Sequence, residues 1–97
     1  MHQRAPAFGG TDGQAYSVST FTDDAPDAAG RYGAALLFVR WSAGGERAIG
    51  HLETGYLAFG RTSEEALAPL LALTLHEVKG HLDQCIERDR GKGEGDG

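Results

Sequence analysis

Apolar and polar residues alternate from Gln14 to Thr22, with Tyr16, Val18 and Thr20 on one side and Ala15, Ser17, Ser19 and Phe21 on the other. That period of two predicts a strand. Asp23 to Gly30 ends the pattern with Asp23, Asp24, Pro26, Asp27 and Gly30, short polar or φ-restricted residues that favour a loop. Gly33 to Trp41 is the most apolar run. It is too short for an independent helix and closes on β-favouring residues, so it predicts a central strand. Gly44-Gly45 separates it from Glu46 to Glu53, and paired glycines supply the positive φ of a two-residue hairpin turn. The register from that turn sets Ala35, Leu37, Val39 and Trp41 on one face with Ala48, Gly50 and Leu52. Leu36, Phe38 and Arg40 then share the opposite face with Ile49, His51 and Glu53.

After a turn at Thr54-Gly55, a short strand Tyr56 to Phe59 runs into Gly60-Arg61-Thr62-Ser63-Glu64-Glu65-Ala66-Leu67. Thr62 is placed to cap a helix, and Glu65 to reach back to the N–H of Thr62. The helix is predicted to continue to Asp89. At a helical period, Leu67, Leu71, Thr74, Leu75, Val78, Leu82 and Cys85 form one apolar stripe with Ile86 at its edge. Pro69 is expected to bend this helix, because it lacks an N–H and clashes with the carbonyl four residues earlier, at a cost of about 3 kcal/mol. Gly80 costs roughly 1 kcal/mol relative to alanine.

These elements predict an α+β domain: an antiparallel sheet of three to four strands with one long C-terminal helix packed on one face. Residues 1–13 and 91–97 lack the apolar surface that offsets ordering entropy and are expected to be disordered tails, leaving 14–90 as a single domain. One helix covers one face of a sheet that is apolar on both. The predicted remainder is a surface of Leu36, Phe38, Arg40, Ile49, His51 and Glu53, with a second contact at Leu70 and Leu73. Such a patch points to a homodimer.

Charge and cysteine content narrow the classes. The 97 residues carry a net charge of −5, and the basic residues are interleaved with acids, which argues against a nucleic-acid surface. Cys85 is the only cysteine, which excludes an intramolecular disulfide and fits a reducing compartment. With no apolar segment of signal-peptide or membrane-span length, the expectation is a cytoplasmic protein without a membrane partner.

Candidate chemistry is sparse. His76 and His81 resemble a zinc-protease pair, but they are five apart rather than four and so lie about 140° from each other around a helix. Glu77, His81 and Cys85 are spaced by four and align for a metal. The favoured reading puts Cys85 in the core and leaves Glu77 and His81 as a surface pair. His51 and Glu53 beside Arg40 offer acid and base groups without a nucleophile, and read as the polar rim of an interface. No cofactor and no catalytic residue is predicted.

The segment Gly55-Tyr56-Leu57-Ala58-Phe59-Gly60-Arg61-Thr62-Ser63-Glu64-Glu65-Ala66-Leu67 resembles the HicB-type antitoxin domain. Gly55, Gly60, Thr62, Glu65 and Ala66 match its order and spacing. Ala34 to Trp41 and Ala48 to Leu52 stand where the family's first two strands lie. Its proline-bearing segment before the third strand reads His51-Leu52-Glu53-Thr54-Gly55 here, without the prolines. The resemblance spans about residues 34–82. It implies a non-catalytic, dimeric module that binds a small basic ribonuclease and blocks it, and the acidic charge is compatible with that partner. The alternatives are an orphan dimeric α+β scaffold, or a small metal-binding protein or enzyme using His51, Glu53 or the Glu77, His81 and Cys85 line.

Overall fold

The computed structural model describes residues 8–95, with side chains described through residue 91. Five strands, β1 (Phe8–Gly9), β2 (Ala15–Thr22), β3 (Tyr32–Trp41), β4 (Ala48–Glu53) and β5 (Ala58–Gly60), precede two helices, α1 (Ser63–Leu71) and α2 (Leu75–Gly95). All strand pairs are antiparallel. The order is β1-β2-β3-β4, and β5 also pairs with β3. The protein is thus α+β with one antiparallel sheet and helices packed on it, as the patterning predicts. Parts of the segments expected as tails are regular structure: Phe8–Gly9 pairs with Tyr16 and Ala15, and α2 runs past Gly91. The tail expectation for residues 1–7 and 96–97 lies outside the described residues.

β3 is the centre because it carries no charged or strongly polar residue from Gly33 to Val39 and both of its edges are used. β2 pairs along one edge from Ala34 to Trp41. On the other edge β4 covers Leu37 to Trp41 and β5 covers Tyr32 to Ala34. Thr54 fills the gap between them. Its N–H donates to the Leu36 carbonyl and its hydroxyl accepts from the Leu36 N–H, both at 3.0 Å. A buried side chain therefore supplies the ladder bond that a missing strand residue would have made.

The hairpin between β3 and β4 corrects the predicted register. The loop is longer than two residues: Ser42 N–H bonds the Arg47 carbonyl, and only Gly45 of the glycine pair has positive φ, at 71°. Trp41 still pairs with Ala48, as that turn requires. A bulge then inserts Ile49, so Arg40 pairs with Gly50, Val39 with His51, Phe38 with Leu52 and Leu37 with Glu53. One extra residue exchanges the two faces of β4. His51 and Glu53 lie with Leu37 and Val39, not with Leu36, Phe38 and Arg40.

The predicted single helix is two. Thr62 caps α1 by accepting from the Glu65 N–H at 3.1 Å, and Glu65 returns a bond to the Arg61 N–H at 2.9 Å, one residue earlier than expected. Gly60 permits this junction: a Cβ there would come within 2.6 Å of Glu65 Cβ and 2.7 Å of the Ala66 backbone nitrogen. The chain passes through Pro69 and breaks at Ala72 to Thr74 instead. There a second capping box forms, with Thr74 Oγ1 accepting from the Glu77 N–H and Glu77 Oε1 accepting from the Thr74 N–H.

The break re-phases the apolar stripe. Ala66 and Leu70 of α1 and Val78, Leu82, Cys85 and Ile86 of α2 pack on Tyr16, Ala34, Leu36 and Phe38. Leu71 and Leu75, expected in the core, are each 72% exposed.

Candidate functional site

β3 presents two different surfaces because its side chains alternate. Its even-numbered residues Ala34, Leu36 and Phe38 lie beneath the helices at 2% exposure or less. The odd-numbered residues Ala35, Leu37, Val39 and Trp41 face the other way, beside Phe21, Ser19, Ser17 and Ala15 of β2 and Glu53, His51 and Ala48 of β4. Both helices lie on the even-numbered side, so no helix among the described residues covers this second face. Trp41 is fixed there by its indole N–H, which donates to Ser17 Oγ at 2.9 Å.

The predicted surface set therefore divides. Leu36, Phe38 and Leu70 are core residues, and Leu73 packs partly buried against them. The expectation that they form an exposed patch is overturned because both helices lie on the even-numbered face of β3, and the register shift moves His51 and Glu53 to the other face. Ile49, His51 and Glu53 are exposed and stay candidates for a partner surface. His51 Nε2 lies 3.5 Å from Glu53 Oε2 along the strand.

Arg40 belongs to neither surface. It sits at the end of the helix-covered face in a polar group absent from the sequence reading. The buried Tyr16 hydroxyl donates to Asp12 Oδ2 at 2.7 Å and accepts from Arg40 Nε at 2.8 Å. Arg40 also reaches Asp12 at 3.7 Å and Asp89 of α2 at 3.9 Å. Burial, and then the Asp12 carboxylate, raise the Tyr16 phenol above its ordinary pKa. Partial burial opposes ionisation of Asp12, but bonds from Tyr16 and the Gln14 N–H and the charge of Arg40 outweigh it and leave the carboxyl below its usual range. The group ties the loop after β1, β2, β3 and α2 together and satisfies a tyrosine that has no exposed surface.

A cleft of about 260 Å³ runs between β4 and α2, lined by His51, Leu52, Glu53, Cys85, Arg88 and Asp89. It brings two of the predicted acid/base residues near Cys85, but burial pushes the Cys85 thiol above its ordinary pKa, the reverse of what activates a nucleophile. The Glu77, His81 and Cys85 alignment does not assemble into a ligand set. Cys85 is 3% exposed in the core, and Glu77 is committed to the α2 cap. Among the described residues no group of three or more His, Cys, Asp or Glu is placed to hold a metal.

A second exposed cluster lies at the opposite end of β3. Tyr56 and Phe59 meet edge to face with centroids 5.4 Å apart, and Arg31 stacks 4.4 Å over Phe59. The loop after β2 fixes this corner through acids. The Tyr56 hydroxyl donates to Asp23 Oδ1, and Asp27 accepts from the Ala29 and Arg31 N–H groups while pairing with the Arg31 side chain at 3.2 Å. Asp24 remains exposed in the same loop.

The fold and these surfaces define an α+β domain with one sheet face closed by helices and a second on which Ala35 is buried while Leu37, Val39 and Trp41 are half-buried under no helix among the described residues. No helix among the described residues is long and apolar enough to cross a membrane. Comparison with family models, with curated proteins and with solved structures returns no match.

Proposed function

We propose that this chain is a non-catalytic, homodimeric protein-binding module of the HicB-type antitoxin kind, which binds a small basic ribonuclease and blocks it. The observation that carries this reading is the open sheet face. A row of half-buried Leu37, Val39 and Trp41 without a covering helix is the sort of surface that a partner buries, and His51 and Glu53 at its rim are the sort of polar border that gives such a contact specificity. The order of β3, β4, β5 and α1 also agrees with the strand and helix order that the resemblance implies, and Gly60, Thr62, Glu65 and Ala66 stand at its capped junction. The net charge of −5 and the acidic loop from Asp23 to Asp27 suit a basic partner, chiefly by speeding its approach.

The test is co-expression with a small basic protein encoded beside this chain. A co-purifying complex, relief of RNA cleavage on its formation, and loss of both on Val39→Ser in the open face are the expected results. A genomic neighbourhood without such a gene, or a neighbour that neither binds nor cleaves RNA, overturns the ribonuclease reading.

A further inference from the structure

The two long edges of the sheet are built differently. β4 carries a bulge at Ile49 and the charged pair His51 and Glu53, devices that discourage strand addition. The outer edge of β2 has neither. Its pairing with β1 stops at Tyr16, and from Ser17 to Thr22 it contains no charge, no proline and no register shift. The Asp23 N–H bonds the Gly33 carbonyl, which fixes the alternation: the backbone groups of Ser17, Ser19 and Phe21 point to β3, and those of Val18, Thr20 and Thr22 point outward. Among the described residues no backbone bond reaches those three from the outer side.

Beside this edge lies an apolar groove of about 440 Å³, lined by Val18, Thr20, Leu36, Leu70, Leu71 and Val78. The α1–α2 break leaves Leu71 at its rim and Leu75 just beyond the break, both 72% exposed. We infer that two copies of this chain join antiparallel along β2, with the two-fold axis at Thr20, into one continuous sheet. This rests on reading the chain as a self-associating module, and it assigns the contact to β2, which lies outside the resemblance.

The edge is self-complementary, which suits a second copy: an antiparallel two-fold register pairs the outward groups of Val18, Thr20 and Thr22 with the same set on the other copy. The chain carries a net charge of −5, so a contact between copies is least opposed where no charge lies. Ala15 to Thr22 and Ala66 to Leu75 hold no charged residue, and they are the segments that would meet. In this register Thr20 faces Thr20 of the second copy and Val18 faces its Thr22, each pair exchanging two backbone bonds. A two-fold axis perpendicular to the sheet keeps both helix layers on one side, so Leu71 and Leu75 of each copy approach their equivalents across the seam. The open face remains free on the other side.

Sedimentation equilibrium at about ten to a hundred micromolar tests this, with amide exchange read at Val18, Thr20 and Thr22. The expected mass is twice 10.3 kDa, with exchange at these three amides slowing as concentration rises. Thr20→Pro removes an N–H that β3 does not use, and raises the dissociation constant at least about tenfold while the monomer stays folded. If Thr20→Pro does not fold, Thr20→Lys and Leu71→Glu make the same test without touching the backbone. His51→Pro, which changes the guarded β4 edge, leaves the mass unchanged. A dimer indifferent to Thr20→Pro, Thr20→Lys and Leu71→Glu overturns the β2 seam while leaving self-association standing. A monomer at every concentration overturns both. A monomer that dimerises only when residues 1–7 are deleted shows that the chain's own N-terminal segment occupies the edge, and overturns the proposal for the intact protein.

Discussion

The two faces of β3 have nearly the same composition and opposite fates. Ala34, Leu36 and Phe38 are sealed by α1 and α2, whereas Ala35, Leu37, Val39 and Trp41 lie under no helix. Hydrophobicity alone does not distinguish them. What separates them is the alternation of a single strand, the face on which the chain lays its helices, and the polar group of Tyr16, Arg40 and Asp12 that closes the far end of the covered side. The stability of the domain is concentrated on the covered side. On the proposed reading, Leu37, Val39 and Trp41 of the open side are where substitutions cost the fold less and a partner more.

The sharpest way to break that comparison is a pair of truncations on adjacent residues. Phe38→Ala empties a fully buried site in the core that both helices help to form and is expected to cost about 3–5 kcal/mol in urea or thermal unfolding. Leu37→Ala, one residue away, is expected to cost markedly less because its side chain is only half-buried. Equal costs would mean that the open face is covered in the intact protein. Next in size is Thr54→Val, which strands the buried Leu36 N–H and is expected to destabilise by about 1–3 kcal/mol, with Thr54→Ser restoring most of the loss.

The polar closure of the covered face has a pH signature. Tyr16 is raised above its unfolded pKa, so its contribution is complete below about pH 10 and is lost as pH rises through the folded value. Asp12 is lowered, so its contribution is present above about pH 4 and is lost as pH falls through its folded value. Tyr16→Phe removes the bonds to both Asp12 and Arg40 and is expected to cost about 1–2 kcal/mol at neutral pH while flattening the alkaline arm of the stability profile. An alkaline arm unchanged in Tyr16→Phe would assign it to the other groups raised on folding, Cys85 and Tyr56.

Much of the architecture was legible because it rests on local patterns. Alternation in Ala15 to Thr22, the apolar run of β3 and the Thr62/Glu65 cap each follow from residues within a few positions of one another. Two features of the sheet's faces were not legible: which face of β3 the helices take, since both are apolar, and the phase of β4, which one bulge residue, Ile49, reverses. The helix break was within reach. Thr74 and Glu77 repeat the spacing of Thr62 and Glu65, but the strong stripe from Leu67 through Leu75 suggested continuity and hid the second cap. Tyr16 and Arg40 are 24 residues apart and Asp12 lies in a loop, so no sequence period marks their group.

The two caps give a smaller test of the same division. Thr62→Ala and Thr74→Ala are each expected to cost about 1 kcal/mol, and both should leave a partner's affinity for the open face unchanged, since both caps lie with the helices. The smallest effect on stability is the most informative for function. Val39→Ser removes apolar surface from the centre of the open face, between Ser17 and His51, without touching the helix-covered core. It is expected to change unfolding free energy by less than about 1 kcal/mol, because the side chain keeps part of its contact with water before and after the change. Partner affinity measured by calorimetry should fall at least about tenfold, as truncation at the centre of a buried patch does. If Val39→Ser instead unfolds the protein, the face called open is part of a core that another segment or another copy completes. If it changes neither stability nor binding, the partner lies elsewhere, and the exposed Tyr56 and Phe59 corner beside the acidic loop becomes the surface to truncate next.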